Sequence, residues 1–194
     1  MSENSNGIIQ QSDGAEKETK RGIAVELYEW AQALVYSVVF VVVLFTFFVR
    51  IIGVDGTSMI PTLQHNDKIV VTNMFYEPSQ GDIIVLRKES FLEEPIVKRV
   101  IATEGQTVDI DFISHNVYVD GIRLDEPYIN APTTREGDVS FPVTVPEGFV
   151  FVLGDNRNNS ADSRISRLGM VDERYILGRV VFRVYPMNKI GKVE

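Results

Sequence analysis

The stretch G-T-S-M-I-P-T-L, residues 56–63, decides how this sequence is interpreted, because it places a serine on a turn shortly after a long apolar run. Glycine lets the backbone come close to a bound carbonyl, and Pro61 fixes the turn that leads the chain away from Ser58. Most turn serines only hydrogen-bond their own backbone. A serine attacks carbonyls when a neighbouring base removes its proton, so Ser58 is a candidate nucleophile whose base must lie elsewhere in the chain.

The apolar run before this stretch, Trp30–Val49, contains no charged side chain. As a helix its twenty residues would be about 30 Å long, which matches the hydrocarbon core of a bilayer. The run is too long for a secretory signal, and residues 47–50 offer no small-residue cleavage site. We therefore expect a retained transmembrane helix over 30–49 rather than a buried helix of a soluble protein. Residues 1–29 are predicted to be a disordered tail, polar up to about Gly22, and the approach to this helix.

Composition excludes several classes of protein. The 194 residues are 44% hydrophobic, which excludes a wholly disordered chain, and the net charge of −8 argues against a nucleic-acid partner. The absence of cysteine excludes thiol catalysis and disulfides. The only two histidines, His65 and His115, have no metal-ligand spacing, so no metal or other cofactor is expected.

After the apolar run, residues 50–194 have the pattern of a mostly β domain, with short apolar segments separated by turn residues. Asp120-Gly121 between two such segments predicts a tight hairpin, and the prolines of 125–147 predict a long loop. No alternation of strands and helices indicates a parallel sheet. The predicted strands are Lys68–Phe75, Asp82–Leu86, Ile96–Ala102, Val108–Phe112, Asn116–Val119, Phe149–Leu153 and Gly178–Tyr185.

The strand predicted over Ile96–Ala102 contains the candidate base. Lys98 would share a face with Ile96 and Val100, because alternate residues of a strand point the same way. An ordinary lysine pKa near 10.4 makes the neutral amine unfavourable by about 4.6 kcal/mol at pH 7, but burial can lower such a pKa by about 3 to 5 units. Lys98 is therefore a candidate general base. The alternative is an edge-strand lysine with a solvated head group.

Residues 154–164, G-D-N-R-N-N-S-A-D-S-R, follow another apolar strand and are unusually rich in small polar side chains. Such a segment is suited to a hydrogen-bonded scaffold, although a plain Asx-rich turn has the same composition. A calcium loop is disfavoured because Arg157 occupies a position that requires an oxygen ligand.

Together these segments resemble the bacterial type I signal peptidases, membrane-bound serine-lysine proteases, in the short form typical of Gram-positive bacteria. The resemblance rests on residues 58–62, Gly81-Asp82, residues 98–100, residues 154–157 and residues 159–164, in the family's order. It implies that Ser58 is the nucleophile and Lys98 the general base. It also implies that Ser160 orients the lysine amine, and that Asp162 and Arg164 form a supporting ion pair.

The same resemblance implies the remaining features of the site. Many members carry a serine donor for the oxyanion where this sequence has Gly56. The resemblance therefore implies an oxyanion site made of Ser58, Gly56 and Thr57, in which the oxyanion rests mainly on the Ser58 backbone N–H, with Thr57 or a water molecule as the further donor. Asn158 replaces an aspartate common in the family. The substrate-binding residues would be Val54, Asp55, Met59, Leu63, Ile96 and Val97.

For the whole chain, the resemblance implies a single-pass protein of the cell membrane with a cytoplasmic N-terminus and an extracytoplasmic catalytic domain over 50–194. Its substrates would be exported preproteins, cut after an A-x-A-like motif. Two alternatives remain open from the sequence. One is a self-cleaving serine-lysine regulator, and the other is a non-enzymatic membrane-tethered domain that binds a partner through residues 154–164.

Overall fold

The computed structural model describes residues 25–43, 49–74 and 76–193 and divides into two units, Met1–Phe47 and Phe48–Glu194. The first unit contains helix α1, described over Val25–Val43, which is long and apolar enough to cross a membrane by length and composition. Its side chains are all exposed, so no face of the helix packs into a core. The tail predicted before Gly22 and residues 44–48 of the expected span lie outside the described residues.

The second unit is built from short strands and three 3-10 turns, which confirms the mostly β fold class. The strands are β1 Arg50–Gly53, β2 Lys68–Thr72, β3 Ile83–Leu86, β4 Ile96–Ala102, β5 Thr107–Asp111, β6 Asn116–Val119, β7 Ile122–Arg123, β8 Val143–Thr144, β9 Phe149–Leu153, β10 Val171–Asp172, β11 Ile176–Tyr185 and β12 Gly191–Lys192. The 3-10 turns are Arg157–Asn159, Glu173–Tyr175 and Met187–Lys189.

The strands form two sheets. The larger has the order β1-β2-β11-β3-β4-β9-β10, with β12 paired to β11, and the smaller has the order β7-β6-β5-β8. Every described strand pair is antiparallel. Long-range pairing of β11 with both β2 and β3 brings the C-terminal part of the chain to the centre of the larger sheet.

Strand β4 is a central strand because its seven residues are almost all buried and it pairs with β3 and β9. Lys98 lies opposite Ile84 of β3, which has no exposed surface. Residues 154–164 directly follow β9, the other neighbour of β4. The sheet therefore places the predicted lysine beside the start of the polar segment.

Three predicted strands have the bounds that the sequence indicated: Ile96–Ala102, Asn116–Val119 and Phe149–Leu153. The predicted hairpin is also present, and Asp120 and Gly121 have φ values of 51° and 78°, as a two-residue hairpin turn requires. Strands β1, β8, β10 and β12 were not predicted. The strand expected to reach Phe75 ends at Thr72, and β8 lies within the predicted loop 125–147.

Candidate active site

The amine of Lys98 and the hydroxyl of Ser58 are in direct contact. Lys98 Nζ donates a hydrogen bond to Ser58 Oγ at 2.9 Å and a second to the carbonyl of Val97 at 2.9 Å. Lys98 is 3% exposed, whereas Ser58 is half-buried. The two residues are 40 positions apart in sequence and are brought together by the fold.

Burial makes the charged form of this lysine unfavourable. Loss of water around the amine lowers the pKa of Lys98 from 10.5 to about 8, while the carboxylates of Asp162 and Asp155 act in the opposite direction. A substantial fraction of the amine is then neutral near physiological pH. A neutral amine in contact with a hydroxyl can accept its proton, which a fully charged lysine cannot do.

The turn that carries Ser58 is shaped by a glycine. Gly56 has a φ of +88°, which side chains rarely adopt, although a Cβ at this position would meet no atom within 4 Å. Backbone conformation, not lack of space, therefore requires glycine here. Within the part of the chain that the structure describes, the Ser58 N–H donates no hydrogen bond. This N–H is available to bind an oxyanion.

Two asparagines of the polar segment hold this turn from one side. Asn156 donates through Nδ2 to Thr57 O at 3.0 Å and through its backbone N–H to Ser58 O at 2.9 Å. Asn159 donates through Nδ2 to the Thr57 hydroxyl at 2.9 Å. The segment is thus a scaffold for the serine turn, as its composition suggested, and the contacts come from residues that were not singled out.

Asp155 joins the same turn to strand β4. Its carboxylate accepts two hydrogen bonds from Arg99, both at 2.8 Å, and one from the Thr62 hydroxyl at 2.5 Å. The Arg99 guanidinium also lies over the Tyr128 ring, 3.9 Å from its centroid. Sequence reasoning assigned no role to Arg99 and Asp155, although two opposite charges inside two of the candidate segments were a usable signal.

Asp162 and Arg164 form the ion pair that the resemblance implied. Arg164 Nε is 2.8 Å from Asp162 Oδ1 and Nη2 is 2.9 Å from Oδ2, with both side chains nearly inaccessible. Asp162 Oδ2 also accepts the Gly154 N–H at 3.1 Å. A second buried pair, Arg157 with Glu126 at 2.6 Å, ties the segment to the loop predicted over 125–147. That loop therefore supports the candidate site.

Ser160 is buried beside the serine turn but makes no hydrogen bond to the lysine amine. Its Oγ has no hydrogen-bond partner among the described residues, and the Lys98 bonds go to Ser58 and Val97 instead. A Cβ added to Gly154 would collide with Ser160 Oγ and with Ser58 O, so a glycine is required at 154 for this close approach. The orienting role implied for Ser160 stays a prediction.

The residues expected to bind substrate are divided among three environments. Four of them pack in one buried cluster with Ile83 and Val85, and Leu63 has no exposed surface at all. Ile96 packs against a different cluster, and Asp55 is exposed, with Oδ1 3.0 Å from His65 Nδ1. The structure does not bring Ile96 and Asp55 into the first cluster. The four predicted residues that lie in that cluster are Val54, Met59, Leu63 and Val97.

Comparison with known proteins shows that this chain is a peptidase. The model of the family described as "Signal peptidase, peptidase S26" matches residues 27–185. The chain belongs to this signal peptidase family. It is 38% identical to "Signal peptidase I S" of Bacillus subtilis (strain 168) over 180 residues, which cover 87% of this chain and 94% of the relative.

Two further similarities come from other bacteria. "Probable signal peptidase I-1" of Synechocystis sp. is 38% identical over 151 residues, covering 72% of this chain and 73% of that protein. A crystal structure of a signal peptidase I from Enterococcus faecalis V583 is 30% identical, with a TM-score of 0.46, and covers 55% of this chain and 98% of that one.

Proposed function

We propose that this peptidase is a membrane-anchored serine endopeptidase that removes signal peptides from exported preproteins, with Ser58 as nucleophile and Lys98 as general base. The observation that carries the proposal is the 2.9 Å hydrogen bond between Lys98 Nζ and Ser58 Oγ, made by an amine whose pKa burial lowers to about 8. A lysine without such burial would be protonated and could not serve as the base.

The first half of the reaction forms an acyl-enzyme. The neutral amine of Lys98 accepts the Ser58 hydroxyl proton as Oγ bonds to the scissile carbonyl carbon, whose oxygen becomes an oxyanion. The unbonded N–H of Ser58 is available to stabilise that oxyanion. The Lys98 ammonium then gives its proton to the departing amine as the peptide bond breaks.

The second half hydrolyses the acyl-enzyme. With the amine product gone, Lys98 is neutral again. It accepts a proton from a water molecule as the oxygen of that water bonds to the acyl carbon. The tetrahedral intermediate collapses, and the Lys98 proton returns to Ser58 Oγ. Asp162 and Arg164 are assigned a supporting role, since their pair is buried beside Gly154, whose N–H bonds Asp162.

Membrane anchoring is supported by α1, because this helix is long and apolar enough to cross a membrane and all of its side chains are exposed. In the proposed topology the N-terminus is cytoplasmic, the span covers 30–49 and the catalytic domain, 50–194, lies outside the cytoplasm. The proposed substrates carry small residues before the cut in an A-x-A-like pattern, and the proposed location is the cell membrane.

Cleavage of a preprotein by the full-length protein in detergent tests this function. We expect the wild-type protein to release the mature chain and the Ser58→Ala variant to leave the preprotein intact. If the Ser58→Ala change instead abolishes only self-cleavage, the protein is a self-cleaving regulator. A wild-type protein that cuts neither itself nor a preprotein would leave the binding-domain alternative.

A further inference from the structure

One residue, Asn156, holds both peptide groups that flank the serine of the candidate site. Its side-chain Nδ2 donates to Thr57 O at 3.0 Å, and its backbone N–H donates to Ser58 O at 2.9 Å. These two carbonyls belong to the peptide planes on either side of the Ser58 Cα. Because φ and ψ are the only soft backbone torsions between two planar peptide groups, holding both planes fixes the backbone of Ser58.

The hydrogen bond to Thr57 O also determines where the Ser58 N–H points. Thr57 O and Ser58 N–H belong to the same peptide group, which is not among the cis peptides of this chain. In a trans peptide the carbonyl and the N–H point in opposite directions. Since Asn156 draws the carbonyl toward the polar segment, the Ser58 N–H faces away from that segment.

We propose that Asn156 is a positioning residue that aims the Ser58 N–H at the oxygen of the scissile carbonyl before substrate binds. This inference rests on the proposed function. A donor that is already oriented stabilises developing negative charge without reorganising during the reaction, which is the main advantage of an oxyanion site. A hydrogen bond at the carbonyl end of the peptide also polarises the N–H at its other end.

The neighbouring residue Asn159 provides a matched control. Its Nδ2 donates to the Thr57 hydroxyl at 2.9 Å, so it holds the same residue, and it ends the 3-10 turn Arg157–Asn159 that Asn156 immediately precedes. This bond is made to the side chain and does not restrain the 57–58 peptide plane. Removing the Asn156 amide and removing the Asn159 amide therefore each delete one hydrogen bond to Thr57. Only the first loosens the 57–58 peptide, because, among the described residues, it leaves the Thr57 carbonyl with just the longer 3.3 Å bond from the Ile60 N–H.

The test compares Asn156→Ala with Asn159→Ala in the full-length protein, using a preprotein peptide above the pH at which the rate levels off. Complete loss of an oxyanion donor lowers kcat by about 10²- to 10³-fold. We expect Asn156→Ala to lower kcat about tenfold or more, because the donor is misaimed and not deleted, with KM changed less than about threefold. Asn159→Ala should lower kcat less than about threefold.

A peptide aldehyde gives a second readout, because its adduct with Ser58 resembles the tetrahedral intermediate. The affinity of Asn156→Ala for the aldehyde should fall by the same factor as kcat/KM, and the pH at which the rate rises should not move, since Lys98 keeps both bonds. If Asn156→Ala does not fold, Asn156→Leu gives the same test, because a neutral side chain of similar size cannot donate to Thr57 O and adds no charge beside Lys98.

The inference is refuted by an unchanged kcat, by a loss confined to KM, or by equal losses in the Asn156 and Asn159 variants. These outcomes are separable from failure of the proposed function. An inactive wild-type protein would refute both, whereas an active wild-type protein that depends on Ser58 and shows any of these outcomes refutes the role of Asn156 alone.

Discussion

Arg99 and Asp155 form a bidentate ion pair that is almost completely shielded from solvent. The Nε–Oδ1 and Nη2–Oδ2 distances are both 2.8 Å, and the side chains are 3% and 0% exposed. Arg99 follows Lys98 on β4, while Asp155 precedes Asn156 and accepts a hydrogen bond from Thr62. The ion pair therefore links the strand of the proposed base to the turn of the proposed nucleophile. Asp155 bonds Thr62 directly, and the next residue, Asn156, bonds Thr57 and Ser58.

Removal of one partner of this pair should be strongly destabilising. Asp155→Asn removes the charge of a carboxylate that accepts two hydrogen bonds from the buried Arg99 guanidinium, and breaking such pairs costs about 3–5 kcal/mol. We expect the free energy of unfolding, measured by urea denaturation and circular dichroism, to fall by about 3 kcal/mol or more. Glu89→Gln is the control, because Glu89 pairs with Arg87 at 3.7 Å with both side chains well exposed. Equal effects of the two changes would contradict a structural role for the buried pair.

The reaction rate should depend on deprotonation of Lys98. Because burial lowers the pKa of this amine to about 8, the fraction of neutral base, and with it kcat/KM, should rise with pH through about 8. Lys98→Arg should be as inactive as Lys98→Ala, since arginine does not deprotonate at these pH values. Lys68→Arg, a change at an exposed lysine of β2, should retain activity. Near-normal turnover of Lys98→Arg would show that Lys98 is not the base.

Local sequence patterns predicted the elements whose determinants lie within a few residues. Strand Ile96–Ala102 is an apolar segment with two basic residues, Lys98 and Arg99, in its middle. The hairpin at Asp120-Gly121 follows from residues that tolerate positive φ. Strands β8, β10 and β12 have two residues each, so no periodicity can be detected in them. These strands exist because longer strands offer them a partner.

Contacts between distant segments were the part of the site that the sequence did not predict. Lys98 and Ser58 were paired through resemblance to a family, but the Asp155 contacts with Arg99 and Thr62 span 56 and 93 positions. A composition rich in Asn and Asp indicated a scaffold without showing which peptide groups it holds. The roles of Asn156 and Asn159 depend on backbone geometry at Thr57, which no side-chain pattern encodes.

The proposed topology predicts which part of the chain an external protease can reach. In intact cells stripped of their wall, added protease should digest the domain at 50–194 and spare an epitope tag placed before Gly22. The physical reason is that the apolar run at 30–49 separates the two parts by a bilayer. Permeabilised cells are the control, in which both parts should be cut. Protection of the domain with exposure of the tag would reverse the orientation.

Cleavage should require small residues before the cut. Val54, Met59 and Val97 belong to one tightly buried cluster, so if they line the substrate pocket, as the family resemblance implies, that pocket would not widen easily for a large side chain. A missing methyl group changes binding by only about 1–3 kcal/mol, so large residues must be excluded by steric clash. We expect peptides with Ala at the first and third positions before the cut to be cleaved, and matched peptides with Phe or Lys at the first position to resist. Efficient cutting after Phe would refute this specificity.

The charge of Asp162 should set the pH at which Lys98 becomes active. Burial has the largest effect on the pKa of Lys98, and the Asp162 carboxylate has the second largest. The carboxylate raises this pKa because a nearby negative charge favours the ammonium form. Asp162→Asn removes that charge, so the pKa of Lys98 should fall and the rise of kcat/KM should move to lower pH. The plateau rate should also fall, since Arg164 loses its ionic partner and the Gly154 N–H loses a charged acceptor. The measurement is a pH–rate profile of a variant whose folding is verified by circular dichroism, compared with Asp172→Asn, a carboxylate paired with the exposed Arg174. A shift of the profile to higher pH, or none at all, would show that Asp162 does not control the protonation of the base.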